Sequence, residues 1–102
     1  MKWIPVTFVR LYIMESEHVL KKILASLKQD DIRGVSVFRA INGYGEGEKE
    51  RTSLFMDLSL NLPLAVEFFD QPEKITQALS NLNTLVKPEH MVSWDARANE
   101  VD

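Results

Sequence analysis

The sequence predicts an α+β fold of the ferredoxin-like kind. This is a βαββαβ sandwich with one antiparallel sheet and two helices on one face. Two observations predict it. Short apolar runs with a period of two alternate with longer runs whose apolar residues recur at helical spacing. Their order is strand, helix, strand, strand, helix, strand. The length of 102 residues suits one domain with a single core. That domain is expected over residues 1–95, with 96–102 as a tail.

Trp3 to Ile13 is rich in β-branched and aromatic residues and reads as the first strand. Val6 and Phe8 point one way; Val9, Leu11 and Ile13 point the other. Ser16 stands where its side-chain oxygen can cap a helix from Glu17 to Gln29. Val19, Leu20, Ile23, Leu24 and Leu27 form that helix's apolar face, and Glu17 and Lys21 make an i,i+4 pair on the wet side. Asp30 to Gly34 breaks the pattern, and Val35 to Ile41 is the second strand. Leu54, Met56, Leu58 and Leu60 alternate with Phe55, Asp57 and Ser59 as the third. After Asn61-Leu62-Pro63, Leu64 to Phe69 continues as extended structure, either the same ribbon after a bend or a separate strand. Pro72 fits the first turn of a second helix, where its missing N–H costs nothing. Ile75, Ala78, Leu79 and Leu82 are its stripe. Pro88 blocks continuation, Met91 to Trp94 is a short last strand, and Ala96 to Asp102 reads as a frayed tail.

The strands are apolar on both faces: Phe8 against Val9 and Leu11, Val37 against Phe38, Leu64 and Val66 against Ala65 and Phe69. Two helices cover one face only. A half-exposed antiparallel sheet alternates more cleanly than this. The second face is therefore expected to pack against another subunit in a homo-oligomer.

Composition narrows the chemistry. The net charge is −3, with acidic and basic residues interleaved, so nothing points to a nucleic-acid polymer as partner. Ser53 to Leu60 offers one aromatic, Phe55, and no basic side chain for RNA. The absence of cysteine excludes disulfides and thiolate metal sites. His18 and His90 lie far apart, and Lys49 and Arg51 offset Glu46, Glu48 and Glu50, so no metal site is expected. No serine or other nucleophile carries a recognisable catalytic pattern, so no catalytic residue is assigned. No signal-peptide pattern or membrane-length apolar run stands out, which makes the cytoplasm the default location, without membrane insertion.

The remaining feature is Asn42-Gly43-Tyr44-Gly45-Glu46-Gly47-Glu48-Lys49-Glu50-Arg51, with three of the chain's four glycines. A loop this long in a small domain is usually functional or disordered. Glycines let the backbone reach positive φ, and successive N–H groups can form an anion nest. Arg39, Lys49 and Arg51 are close in sequence, so a small-molecule phosphate is one candidate ligand. No helix follows the glycines directly, so this is neither a dinucleotide fingerprint nor a P-loop. A flexible hairpin tip and a partner-binding loop ordered on contact remain open.

Three segments together resemble the PII-like proteins, relatives of the nitrogen-regulatory PII signalling proteins. They are Gly34-Val35-Ser36-Val37 with Asn42-Gly43-Tyr44-Gly45; Leu58-Ser59-Leu60-Asn61-Leu62-Pro63-Leu64-Ala65-Val66-Glu67; and Asp70-Gln71-Pro72-Glu73-Lys74-Ile75. The resemblance runs from Ile32 through Trp94. It implies a non-enzymatic regulatory homotrimer with a mobile T-loop over residues 43–52. Glu46, Gly47, Glu48, Lys49, Glu50 and Arg51 would contact an unidentified target protein, a membrane transporter or channel being one class. AMP, ADP or another adenine nucleotide would lie between subunits at Gly43, Tyr44 and Gly45, with Arg39 and Lys87 supplying charge. The chain departs from PII proteins in having Glu46 where they have a basic residue, and in a glycine-free Thr84-Leu85-Val86-Lys87-Pro88-Glu89 segment. The alternative is a trimer similar to the CutA proteins, binding a metal or small molecule in the inter-subunit cleft. A ferredoxin-like enzyme is a third class, disfavoured because no acid–base pair converges in the sequence.

Overall fold

The computed structural model describes residues 1–43 and 62–100. Its elements are β1 (Trp3–Met14), α1 (Leu20–Gln29), β2 (Val35–Arg39), β3 (Pro63–Asp70), α2 (Pro72–Leu82) and β4 (Met91–Asn99). The strands form one antiparallel sheet in the order β2-β3-β1-β4. This is the expected ferredoxin-like α+β arrangement. The strand expected over residues 54–60, and the glycine loop beyond Gly43, lie outside the described residues. The stretch after Pro63 is β3, paired to both β1 and β2.

Three boundaries differ from the sequence reading. The second strand ends at Arg39, not Ile41: Ala40 still donates to the Pro63 carbonyl, but β3 begins at Pro63, and Ile41 bends away exposed. The first helix starts at Leu20, not Glu17. Glu15–Glu17 forms a 3-10 turn that closes on His18 in the left-handed region, at φ 56°. Ser16 sits inside that turn and not at the helix cap. Glu17 folds back, its carboxylate accepting the Met14 N–H at 2.7 Å, instead of reaching forward to Lys21. The last strand is longer than expected, running to Asn99 through the supposed tail. Ala96 and Ala98 pair with Val6 and Ile4, and Glu100 N–H donates to the Lys2 carbonyl at 2.8 Å. Alanine and asparagine favour strands weakly, but a waiting β1 edge overrides that preference. Since β3 pairs with β1 only from Thr7 onward, Trp3–Val6 and Ala96–Asn99 continue as a two-stranded ribbon.

The other local predictions hold. Val9, Leu11, Ile13, Leu64, Val66 and Phe68 pack on one sheet face against Ile23 and Leu27 of α1 and Ile75, Ala78 and Leu82 of α2. Each of these side chains larger than alanine contributes about 1.5–3 kcal/mol relative to exposure. Helix α1 ends through Asp31 at φ 57°, a left-handed position that aspartate tolerates better than most residues. Pro72 occupies the first turn of α2.

The opposite face of the sheet is covered by neither helix, and the register orders it in rows. Trp94, Phe8 and Phe69 line up across β4, β1 and β3. Their rings stack with centroids 4.6 Å apart for Phe8–Trp94 and 5.8 Å for Phe8–Phe69. In the next row Arg10 bonds Glu67 at 2.5 Å, and its guanidinium lies over the Trp94 ring at 5.5 Å. In the third, Tyr12, Ala65 and Phe38 align; Tyr12 is 44% exposed and Phe38 54%.

Asp70 closes the fold at the end of β3 and is only 6% exposed. Its carboxylate accepts from the Gln71 N–H at 2.8 Å and the Arg33 N–H at 3.0 Å, with Lys74 Nζ at 3.3 Å. Burial opposes ionisation, but these three donors outweigh it, and Asp70 is held below the usual carboxylate value. A carboxyl whose folded-state pKa is depressed stabilises the fold above its unfolded pKa. That contribution is lost as pH falls through the folded value. Asp70→Asn is expected to lower stability by about 1–3 kcal/mol at pH 7. In urea unfolding the deficit relative to the native chain should shrink below about pH 4, where the unfolded carboxyl protonates. An equal deficit at both pH values would remove the ionised carboxylate from this role.

Candidate functional site

The chain leaves and rejoins the sheet at a stitched base. Ala40 N–H donates to the Pro63 carbonyl at 2.9 Å, and Glu15 N–H to the Leu62 carbonyl at 3.0 Å. Both ends of the 44–61 segment are thereby tied to β1 and β2. Gly43 lies at this base with φ 149°, a conformation that side chains rarely adopt. A Cβ built on it would lie 3.5 Å from the Pro63 ring, so space permits a methyl but the backbone angle does not favour one.

Beside the base is a cavity of about 660 Å³ between α1 and β2. Leu20, Val37 and Leu64 give it apolar walls; Glu15, His18, Lys21 and Arg39 give it polar ones. Arg39, the last residue of β2, forms an ion pair and hydrogen bond with Glu15. Sequence reasoning selected Arg39 but missed Glu15, His18 and Lys21. The Arg39–Glu15 pair joins residues 24 positions apart and leaves no local pattern.

The other sequence candidates fall as follows. Lys87 is exposed and precedes a 3-10 turn, Pro88–His90, that leads into β4. Arg39 ends β2 and Lys87 precedes β4, so both stand at the same end of the sheet but belong to the connections of its two opposite edge strands. Three strand spacings, about 14 Å, separate those edges. Tyr44, Gly45, Glu46, Gly47, Glu48, Lys49, Glu50 and Arg51 lie outside the described residues. Among the described residues no group of three or more His, Asp or Glu side chains is placed to hold a metal ion. Among them, too, no helix is long and apolar enough to cross a membrane.

Comparison with known proteins fits this geometry. The fold is similar to that of PII-like proteins. The chain belongs to the DUF190 family, described as an uncharacterized ACR, whose family model matches residues 6–98. It is 35% identical over 68 residues to a UPF0166 protein of Aquifex aeolicus, a match covering 67% of this chain and 65% of that protein. The fold is similar to that of CPII from Thiomonas intermedia K12, a nitrogen regulatory PII-like protein solved with ADP, AMP and bicarbonate. The TM-score is 0.70 at 10% identity, over 97% of this chain and all of that one (100%). It is also similar to the periplasmic divalent cation tolerance protein CutA of Archaeoglobus fulgidus, with a TM-score of 0.56 at 12% identity over 94% and 86% of the two chains.

Two glycines give a paired test of the loop base. Gly43→Ala is expected to cost about 1 kcal/mol or more in unfolding free energy, because it forces a side chain into a disfavoured φ. Gly34 has nothing within 4 Å of a built Cβ, so Gly34→Ala should be neutral or stabilising by up to about 1 kcal/mol. Equal effects at the two positions would show that the Gly43 conformation constrains nothing.

Proposed function

We propose that this chain is a non-enzymatic, PII-like regulatory protein that works as a homotrimer in the cytoplasm. Its loop over residues 43–52 contacts a target protein, and an adenine nucleotide binds between subunits. The observation that carries the reading is that Arg39 ends one edge strand and Lys87 leads into the other, with an apolar sheet face that neither helix covers. A single copy cannot close both charges on one small ligand. In a ring of copies, the β2 edge of one subunit meets the β4 edge of the next, and the two charges come together at the junction. Such a head-to-tail contact closes into a ring when its rotation allows.

The uncovered face supports the same assembly. Trp94, Phe8 and Phe69 form an aromatic row there, with Trp94 40% exposed. Aromatic residues and arginine are the side chains most enriched where proteins associate. The half-exposed Arg10–Glu67 pair contributes little in water but fixes orientation once a partner excludes solvent. ADP and AMP in the CPII structure supply the nucleotide class. Gly43, Tyr44 and Gly45 are the residues proposed to approach its phosphates. A second reading, a CutA-like trimer binding a divalent cation, is supported by the likeness to CutA.

Light scattering is expected to give the mass of three chains of 11.7 kDa. Trp94→Glu, which puts a charge into the aromatic row, should reduce that mass to one chain while retaining the folded circular-dichroism spectrum. A monomeric native chain would sink the assembly. In thermal-shift measurements AMP or ADP should raise Tm in proportion to the logarithm of its concentration above Kd. No shift with AMP, ADP, ATP or cyclic nucleotides would remove the nucleotide from the reading. A shift with divalent metal alone would transfer support to the CutA-like alternative.

A further inference from the structure

We infer that the cavity between α1 and β2 is a binding site for a small molecule joining an anionic group to a compact apolar body. The anionic group competes there with Glu15 for Arg39. At about 660 Å³ the cavity lies within the size range of small-molecule pockets. Its walls are divided in kind. Leu20, Val37 and Leu64 offer an apolar surface, and Val37 is 39% exposed although it lies on the helix side of the sheet.

The polar wall is cationic on balance. Lys21 has no acidic partner among the described residues, because Glu17 is engaged with the Met14 N–H. Among the described residues Arg39 has one partner, Glu15, in a solvent-accessible pair with the Arg39 side chain 61% exposed. An exposed pair of this kind is worth about 1 kcal/mol or less. A ligand carboxylate can therefore replace Glu15 on Arg39 at small cost while also meeting Lys21. The site shares Arg39 with the inter-subunit nucleotide reading but uses neither Lys87 nor the loop glycines, and its test is read separately from the nucleotide titration.

The test is an NMR titration of the ¹⁵N-labelled full chain with benzoate, benzamide and inorganic phosphate. Benzoate carries both parts of the inferred ligand, benzamide the apolar body alone, and phosphate the charge alone. Benzoate is expected to give saturable shifts at the amides of Glu15 to Lys21 and Val37 to Arg39. Benzamide and phosphate should each bind about tenfold more weakly or worse. Lys21→Glu should weaken benzoate by about tenfold, whereas Glu15→Gln should tighten it several-fold by releasing Arg39. Absence of a saturable shift, equal binding of benzamide, or weaker binding to Glu15→Gln would each overturn the inference. Should Glu15→Gln disturb the fold, Lys21→Glu on the exposed helix surface decides alone.

Discussion

Strand β1 is paired on both edges from Thr7 to Leu11 and carries apolar residues on both faces, and the rest of the molecule is arranged around that fact. Its edges are taken by β3 and β4, so it cannot be peripheral. One face, through Val9, Leu11 and Ile13, supplies the floor for both helices. The other, through Phe8, Arg10 and Tyr12, has no layer over it among the described residues. The period of two makes this unavoidable. Shifting β1 by one residue would exchange the two faces and put Arg10 into the core. The stacking of Phe8 between Phe69 and Trp94 is thus the reverse side of the same register that buries Val9 and Leu11.

The loop base inherits its rigidity from this sheet. β2 is short and lies at an edge, so on its own it would fray easily. It is held by β3 pairing along its length and, at its end, by Ala40 on the Pro63 carbonyl and Arg39 on Glu15. Glu15 in turn follows directly on β1. The base of the glycine-rich segment is therefore fastened to the central strand through one backbone bond and one side-chain pair. A segment with such roots can vary in sequence without disturbing the core. This is the division expected where recognition is carried by a loop on a fixed scaffold.

Periodicity made the element order, the helix stripes and the two-faced sheet legible in the sequence, because each repeats over many residues. Features set by a single side chain were not. Glu17 looked like the first residue of a helix and a partner for Lys21, but the shorter route to the Met14 N–H won. Ala96 to Asn99 looked like a tail because nothing local favours a strand; only the partner residues Trp3 to Val6 do. Arg39 was visible as a charge near the glycines, whereas its pairing with Glu15 and its distance from Lys87 depend on strand order. The loop residues from Tyr44 to Arg51, where most of the sequence candidates fall, are outside the described residues.

Pro5 gives the ribbon of Trp3–Val6 and Ala96–Asn99 a further property. Glu100 donates to the Lys2 carbonyl, so Lys2, Ile4 and Val6 direct their backbone groups toward β4. Pro5, one residue out of phase, faces the other way, past the end of β3 where no strand continues. That edge is a place along β1 where a foreign chain could add itself to the sheet. A residue without an N–H there denies the intruder a donor and takes none from the native ladder. The ribbon can thus extend beyond the body of the sheet without becoming a seed for aggregation.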